Sequence, residues 1–157
     1  MPLISVFQAS SETDYELAKE LFLEYQKELG INLDFKSFDI ELLQLPQMYG
    51  GIDGCLLLAK YNNEVAGCVA IRRKNDDTCE MKRLYVRPFF KGKGIGRRLI
   101  LEITRCGMLL QYKHMVLDTL DSLLPALHLY RQLGFTETNA YYNNPLQGVI
   151  YLEKQLQ

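Results

Sequence analysis

The residues best equipped for chemistry lie between Met81 and Leu99. They read Met81-Lys82-Arg83-Leu84-Tyr85-Val86-Arg87-Pro88-Phe89-Phe90-Lys91-Gly92-Lys93-Gly94-Ile95-Gly96-Arg97-Arg98-Leu99. The pattern is a strand, a tight glycine-rich turn and the start of a helix. Glycine permits positive φ and lets the backbone approach a ligand closely. The first amides of a helix lack intrahelical partners, and the helix dipole favours negative charge beside them. Lys91, Lys93, Arg97 and Arg98 add positive side chains at the same place. Together these features describe a cradle for a pyrophosphate. A glycine-rich turn beside a solvated basic face is the plainer alternative, but it does not account for the coincidence of turn, helix start and charge.

Spacing argues against two common phosphate sites. A P-loop requires GxxxxGK[ST], and no such string occurs. A dinucleotide fold requires GxGxxG directly after a buried strand. Here Gly92, Gly94 and Gly96 are spaced differently, the preceding strand is charged, and Pro88-Phe89-Phe90 intervenes. Asp118, 22 residues beyond Gly96, mimics the acid that binds a nucleotide ribose. A nucleotide-binding enzyme therefore stays open as the weaker alternative.

The elements that must position this segment follow from periodicity. Leu3–Phe7 is a short apolar run and reads as a strand. Thr13 and Glu16 fit a capping box, and Ala18, Leu21, Phe22, Tyr25 and Leu29 recur at helical spacing up to Gly30. A weaker helix is expected over 34–45, ended by Pro46, with a loop from Met48 to Gly54. Cys55–Lys60 and Val65–Arg73 read as a hairpin, and Cys79–Arg87 as a third strand. A helix from Gly94 to Tyr112, a strand His114–Leu120, and a helix capped by Ser122 and ended by Gly134 come next. Strand-like pieces at Phe135–Thr138 and Val149–Leu152 finish the chain.

The chain has 157 residues, 48% hydrophobic and 24% charged, which fits one domain spanning 1–157 and excludes intrinsic disorder. The opening Met1–Phe7 lacks the basic leader and long apolar region of a secretory signal, and no apolar run is long enough to span a membrane. A cytoplasmic protein with no membrane partner is expected. The net charge of −1 conceals an asymmetry. Residues 1–64 carry eleven acidic and four basic side chains, and residues 65–157 eight acidic and fourteen basic. The basic stretch suits an anionic small ligand, and the overall balance does not suit nucleic acid. Cys55, Cys68, Cys79 and Cys106 are too far apart for a CxxC motif and read as buried thiols. His114 and His128 stand outside any ligand-spaced cluster, so no metal is expected.

Lys91-Gly92-Lys93-Gly94-Ile95-Gly96 resembles the acetyl-CoA-binding motif of the GNAT N-acetyltransferase superfamily, which is Gln or Arg, two residues, Gly, one residue, then Gly or Ala. Lys91 departs from the usual first residue. Leu84-Tyr85-Val86-Arg87-Pro88 is similar to the family's central strand entering that loop. Ala126-Leu127-His128-Leu129-Tyr130-Arg131-Gln132-Leu133-Gly134-Phe135 is similar to the second signature, with its Tyr and terminal Gly-Phe. The resemblance covers about residues 55–154.

The resemblance implies an α/β (α+β) single domain. Its central mixed, mostly antiparallel sheet would be splayed between the fourth and fifth strands and flanked by helices. Acetyl-CoA would enter that gap as acyl donor. Backbone groups of Leu84 and Val86 would pair with the pantetheine arm. Lys91, Gly92, Lys93, Gly94, Gly96 and Arg97 would hold the pyrophosphate. Tyr130 matches the family's thiolate-protonating tyrosine; its alternative is a core aromatic. Glu80 is the candidate base, expected to share one strand face with Lys82, Leu84 and Val86; its alternative is a salt bridge to Lys82 or Arg72. The acceptor would be a primary amine of a small molecule, an amino-acid derivative, a peptide or a protein. Tyr25, Tyr49, Tyr141 and Tyr142 are candidates to line its pocket, with core packing as their alternative; the acidic first helices would favour a cationic amine, and an ordinary solvated helix face explains the same charges. The rival function is a non-catalytic acyl-CoA-binding domain of the same fold. Monomer and homodimer both stay open.

Overall fold

The computed structural model describes residues 3–31, 33 and 37–157. Strand β1 (Ile4–Gln8) leads into helix α1 (Glu12–Leu29), and two short helices follow, α2 (Phe38–Leu43) and α3 (Leu45–Tyr49). Strands β2 (Cys55–Tyr61), β3 (Glu64–Arg73) and β4 (Thr78–Val86) form a meander. A 3-10 turn at Pro88–Phe90 leads into α4 (Ile95–Leu109), β5 (His114–Leu120) and α5 (Leu124–Gln132). Strands β6 (Thr136–Glu137) and β7 (Val149–Gln155) complete the set. They form one sheet in the order β1-β2-β3-β4-β5-β7-β6. Every neighbouring pair is antiparallel except β4–β5, which is parallel. No helix among the described residues is long and apolar enough to cross a membrane.

Local chemistry accounts for the element ends, with three departures from expectation. The cap of α1 is Ser11, not Thr13: its hydroxyl accepts from the Asp14 amide at 3.1 Å, and the Asp14 carboxylate accepts from the Ser11 amide at 3.2 Å. An Asp at the third position closes the box as a Glu would, which moves the start two residues earlier. Pro46 opens α3 instead of ending the previous helix, because a proline in the first turn removes an N–H that would be unpaired anyway. Met48 and Tyr49 are therefore helical, and the 34–36 part of the expected helix lies outside the described residues. The third departure is at α5, whose cap is Leu123 with no side-chain hydrogen bond, so Ser122 does not serve.

The sheet separates two apolar cores. On one side α4 and α5 bury Ile95, Leu99, Ile103, Leu127 and Tyr130 against the strands. On the other side α1, α2 and α3 bury Ala18, Leu21, Phe22, Phe38 and Tyr49. All four cysteines are free; Cys55, Cys68 and Cys79 are buried and Cys106 is half-buried.

A bulge in β4 changes what each face presents. Cys68 faces Tyr85 and Ala70 faces Lys82, so one residue of β3 lies opposite two of β4, and Arg83 has φ +61°. Before the bulge Cys79 and Met81 join the α4 core; after it Leu84 and Val86 do. Glu80 and Lys82 point to the opposite face, where Arg83 and Tyr85 follow them. The expected sharing of one face by Glu80, Lys82, Leu84 and Val86 is thus broken after Lys82, because an inserted residue shifts the two-residue period by one.

Candidate active site

Strands β4 and β5 pair only where Thr78, Cys79 and Glu80 meet His114, Met115 and Val116. Beyond that point β4 stays with β3, and β5 runs with β7 as far as Leu120. The facing edges, 81–86 and 117–120, have no strand between them. Backbone polar groups at such an edge need partners, and an extended ligand can supply them as an added strand. Tyr25 from α1, Leu123 at the cap of α5, and Ala126 and Tyr130 from α5 line the gap, where a cavity of about 50 Å³ remains.

On one side the gap shares Tyr25, Leu84, Leu123 and Ala126 with a mainly apolar cleft of about 810 Å³. Leu84 and Val86 form its floor, and Lys91, Gly92, Gly94, Gly96 and Arg97 form one end. Gly94 is the N-cap of α4 at φ +83°, and no side chain caps that end. The first-turn amides of α4 therefore stay available beside the positive pole of the helix dipole. A Cβ at Gly96 would touch Leu129 at 3.4 Å, so the small residue lets α4 and α5 approach. Lys91 is ion-paired with Glu28 of α1. The Lys93 ammonium lies over the Tyr61 ring, 5.4 Å from its centre, and Lys93 is not part of the cleft wall. Arg87 holds α1 over the end of β4 through Glu24, at 2.8 Å. This places Tyr25, Glu28 and Leu29 on the cleft's opposite wall.

On the other side of the gap lies a pocket of about 390 Å³. Glu80 stands in it with both oxygens engaged: Arg72 donates to Oε1 at 3.0 Å and the Tyr141 hydroxyl donates to Oε2 at 2.8 Å. Each carboxylate oxygen retains accepting capacity beyond one bond. Burial, followed by the neighbouring Glu80 charge, pushes the Tyr141 phenol well above its ordinary range. Lys82 is buried beside Glu80. Burial, helped by the adjacent Arg83, brings its ammonium down to about 8 against the opposing pull of Glu41 and Glu80.

Beneath the pocket Arg83 donates to both oxygens of Glu41, at 2.9 and 2.8 Å, and the Tyr49 hydroxyl donates to Glu41 at 3.1 Å. Burial works against the Glu41 charge, yet the Arg83 hydrogen bonds hold its carboxyl below the usual range. This pair ties α2 to the bulge. Tyr49 is consumed there and does not line the pocket, whereas Tyr141 and Tyr142 do. The expected acidic lining is also corrected. The Glu41 carboxylate is enclosed with Arg83, and the pocket wall is formed by Arg72, Arg73, Lys74 and Lys82 around Glu80.

Tyr130 lies at the gap, 6% exposed, with its ring edge-on to Phe135. Burial, then the nearby Tyr25 and Asp118, pushes its phenol well above its ordinary value, so it stays protonated. Asp118, the candidate ribose acid, accepts from Asn144 Nδ2 at 2.8 Å and from the Tyr142 hydroxyl.

Comparison with known proteins agrees with this geometry. A model of the Acetyltransferase (GNAT) family matches residues 15–135. An uncharacterized N-acetyltransferase of Schizosaccharomyces pombe is 41% identical over 98% of this chain and 95% of its own. The chain belongs to the GNAT acetyltransferase family. A GNAT family acetyltransferase of Elizabethkingia anophelis, solved with acetyl-CoA bound, is 28% identical, with 97% of each chain covered and a TM-score of 0.68. An N-acetylaspartate synthetase of Danio rerio is 33% identical over 60% of this chain and 34% of its own length.

Within this GNAT chain the structure brings Leu84, Val86, Lys91, Gly92, Gly94, Gly96 and Arg97 to one cleft, Tyr130 to the gap and Glu80 to the pocket. Sequence reasoning did not place Arg73, Lys74 and Lys82 at a pocket. One signal was present: Arg72 and Arg73 end β3 with Lys74 directly after them, and hairpin register sets Arg72 opposite Glu80.

Proposed function

We propose that the protein transfers an acetyl group directly from acetyl-CoA to a primary amine of a small molecule in a ternary complex. The parting of β4 and β5 carries this reading, because its open edges lead from the glycine-loop cleft to the pocket that holds Glu80. The main chain of Leu84 and Val86 takes the pantetheine arm as an added strand. The amides of 92–97, with Arg97, take the pyrophosphate. The amine nitrogen attacks the thioester carbonyl, and the C–N bond forms as the C–S bond breaks. Glu80 accepts the amine's proton, directly or through water. A backbone amide in 84–86 faces the developing oxyanion, and such donors are worth about 3 kcal/mol.

Tyr130 is the group beside the leaving sulfur. A phenol with a raised pKa is a poor acid toward a solvated thiolate, whose thiol has a pKa near 8.5. The same burial makes the departing thiolate more basic, so a hydrogen bond from Tyr130 gains strength as charge develops on sulfur. The likeness to an N-acetylaspartate synthetase supports a small amino compound as acceptor. The nucleotide alternative is weakened by the engagement of Asp118 with Tyr142 and Asn144.

Calorimetry with CoA, acetyl-CoA and NAD, followed by CoA release over a panel of amines, tests the proposal. Binding of the two CoA species but not NAD is expected, with amine-dependent CoA release. Tyr130→Phe keeps the ring and should lower turnover about tenfold or more while leaving acetyl-CoA affinity unchanged. Acetyl-CoA binding with no release for any amine would support the non-catalytic alternative instead.

A further inference from the structure

Among the described residues, the wall of the pocket around Glu80 holds four cationic side chains, Arg72, Arg73, Lys74 and Lys82, and one carboxylate. Lys82 is the clearest case. Its side chain is 6% exposed, yet its ammonium has no hydrogen-bond acceptor among the described residues. The nearest carboxylate oxygen, on Glu41, lies 3.8 Å away and already accepts from Arg83. Glu41 and Glu80 are the two buried carboxylates near Lys82, and Glu41 is shared with the buried Arg83 while Glu80 is engaged by Arg72 and Tyr141. Lys74 has no carboxylate partner among the described residues, and its ammonium rests 4.6 Å from the centre of the Tyr141 ring. Arg72 gives Glu80 one bond, from Nε, and its terminal nitrogens have no partner among the described residues. Arg73 is matched by Asp76.

An ammonium largely withdrawn from water with no acceptor in hydrogen-bond reach is costly, and a ligand that supplies one recovers part of the difference. A polyamine or a lysine side chain would enter against Arg72, Lys74 and Lys82, with Glu80 the one carboxylate among the described lining residues in its favour. At about 390 Å³ the pocket is at the small end of the range for ligand sites. We infer that the acceptor is a small primary amine that itself carries anionic groups, carboxylate or phosphate, seated on Lys82 and Arg72 with its amino group toward Glu80. This inference rests on the acetyl-transfer reading above. Lys82 and Arg72 are positioning residues here: they hold the acceptor's anionic end and leave proton removal to Glu80. A burial-depressed ammonium that gains an anionic partner also regains its charge, so such binding is accompanied by proton uptake at alkaline pH.

The test compares kcat/KM, at saturating acetyl-CoA, for an amino-dicarboxylate, its uncharged diamide, an aminoalkyl phosphate and a polyamine. One or both anionic amines should exceed the diamide by about tenfold or more, and the polyamine should be poorest. Which anionic amine leads separates carboxylate from phosphate recognition. Lys82→Met should bring the anionic-to-diamide ratio close to one, and Lys82→Arg should keep most of it. The surface change Lys74→Gln, which carries little folding risk, should lower the ratio by a smaller factor. A loss in Lys82→Met that is equal for every acceptor means a structural role and overturns the inference. So does a diamide or polyamine that matches the anionic amines. In both cases acetyl transfer itself stands. Absence of CoA release with every amine removes the acetyl-transfer reading, and this inference with it.

Discussion

On one side of the gap between β4 and β5 the protein presents mostly backbone and apolar surface. Leu84, Val86 and the glycines of 92–96 offer main-chain groups and a helix pole, and the nearby Lys91 is already paired with Glu28. On the other side it presents charged side chains, Glu80 among Arg72, Lys74 and Lys82, resting on the buried Glu41–Arg83 pair. A backbone site reads what is constant in a ligand, such as amides and a pyrophosphate. A side-chain site reads charge and shape and can be altered residue by residue without disturbing its neighbour. The bulge at Arg83 lets one strand serve both, because it turns Glu80 and Lys82 to one face and Leu84 and Val86 to the other.

The sharpest way to break this division is at its foundation. Glu41→Ala leaves Arg83 buried without its partner, and breaking a buried pair in this way costs about 3–5 kcal/mol. Denaturant melts should show a loss of that size, with a weaker response to acceptor wherever the variant still folds. A pocket that did not depend on the ion pair would leave stability within about 1 kcal/mol of the parent. Next in size is Glu80→Gln, which retains hydrogen bonding but cannot take a proton. Turnover should fall about a hundredfold, and the acetyl-CoA dissociation constant should stay where it was. A matching loss in both would mean that the two sites are not separable.

Gly94→Asp addresses the other side. Its positive φ disfavours a side chain, and the added carboxylate would oppose a pyrophosphate held at the helix start as proposed. Acetyl-CoA should bind roughly tenfold more weakly, with discrimination among amines preserved. The mildest test is pH. Lys82 is held near 8 by burial, with Arg83 beside it and Glu41, Glu80 and Arg72 facing it. A cation is lost as pH rises through its pKa. The kcat/KM ratio of anionic amine to diamide should therefore fall about tenfold between roughly pH 7 and pH 9, if the two amines are matched in basicity. Lys82→Arg should flatten that profile, because arginine stays charged.

Features confined to contiguous residues follow from the amino-acid order. Glycine spacing, the helix that follows and the Tyr130 signature lie in contiguous stretches, so the glycine-loop cleft and the order of strands and helices were legible. Small errors arose where near-equivalent local solutions compete: Ser11 instead of Thr13 as cap, and Pro46 opening a helix instead of closing one. The tertiary structure alone decided the charged pocket. Its residues come from the end of β3, from β4 and from the 141–142 loop, and Glu41 arrives from α2 to engage Arg83. Eleven acidic residues in the first 64 suggested an acidic acceptor site, but net charge along a chain does not say which side chains are enclosed. The face that Glu80 presents was equally hidden. Alternation along a strand predicts a face only while the period of two holds, and one inserted residue, chosen by pairing with β3, reverses it.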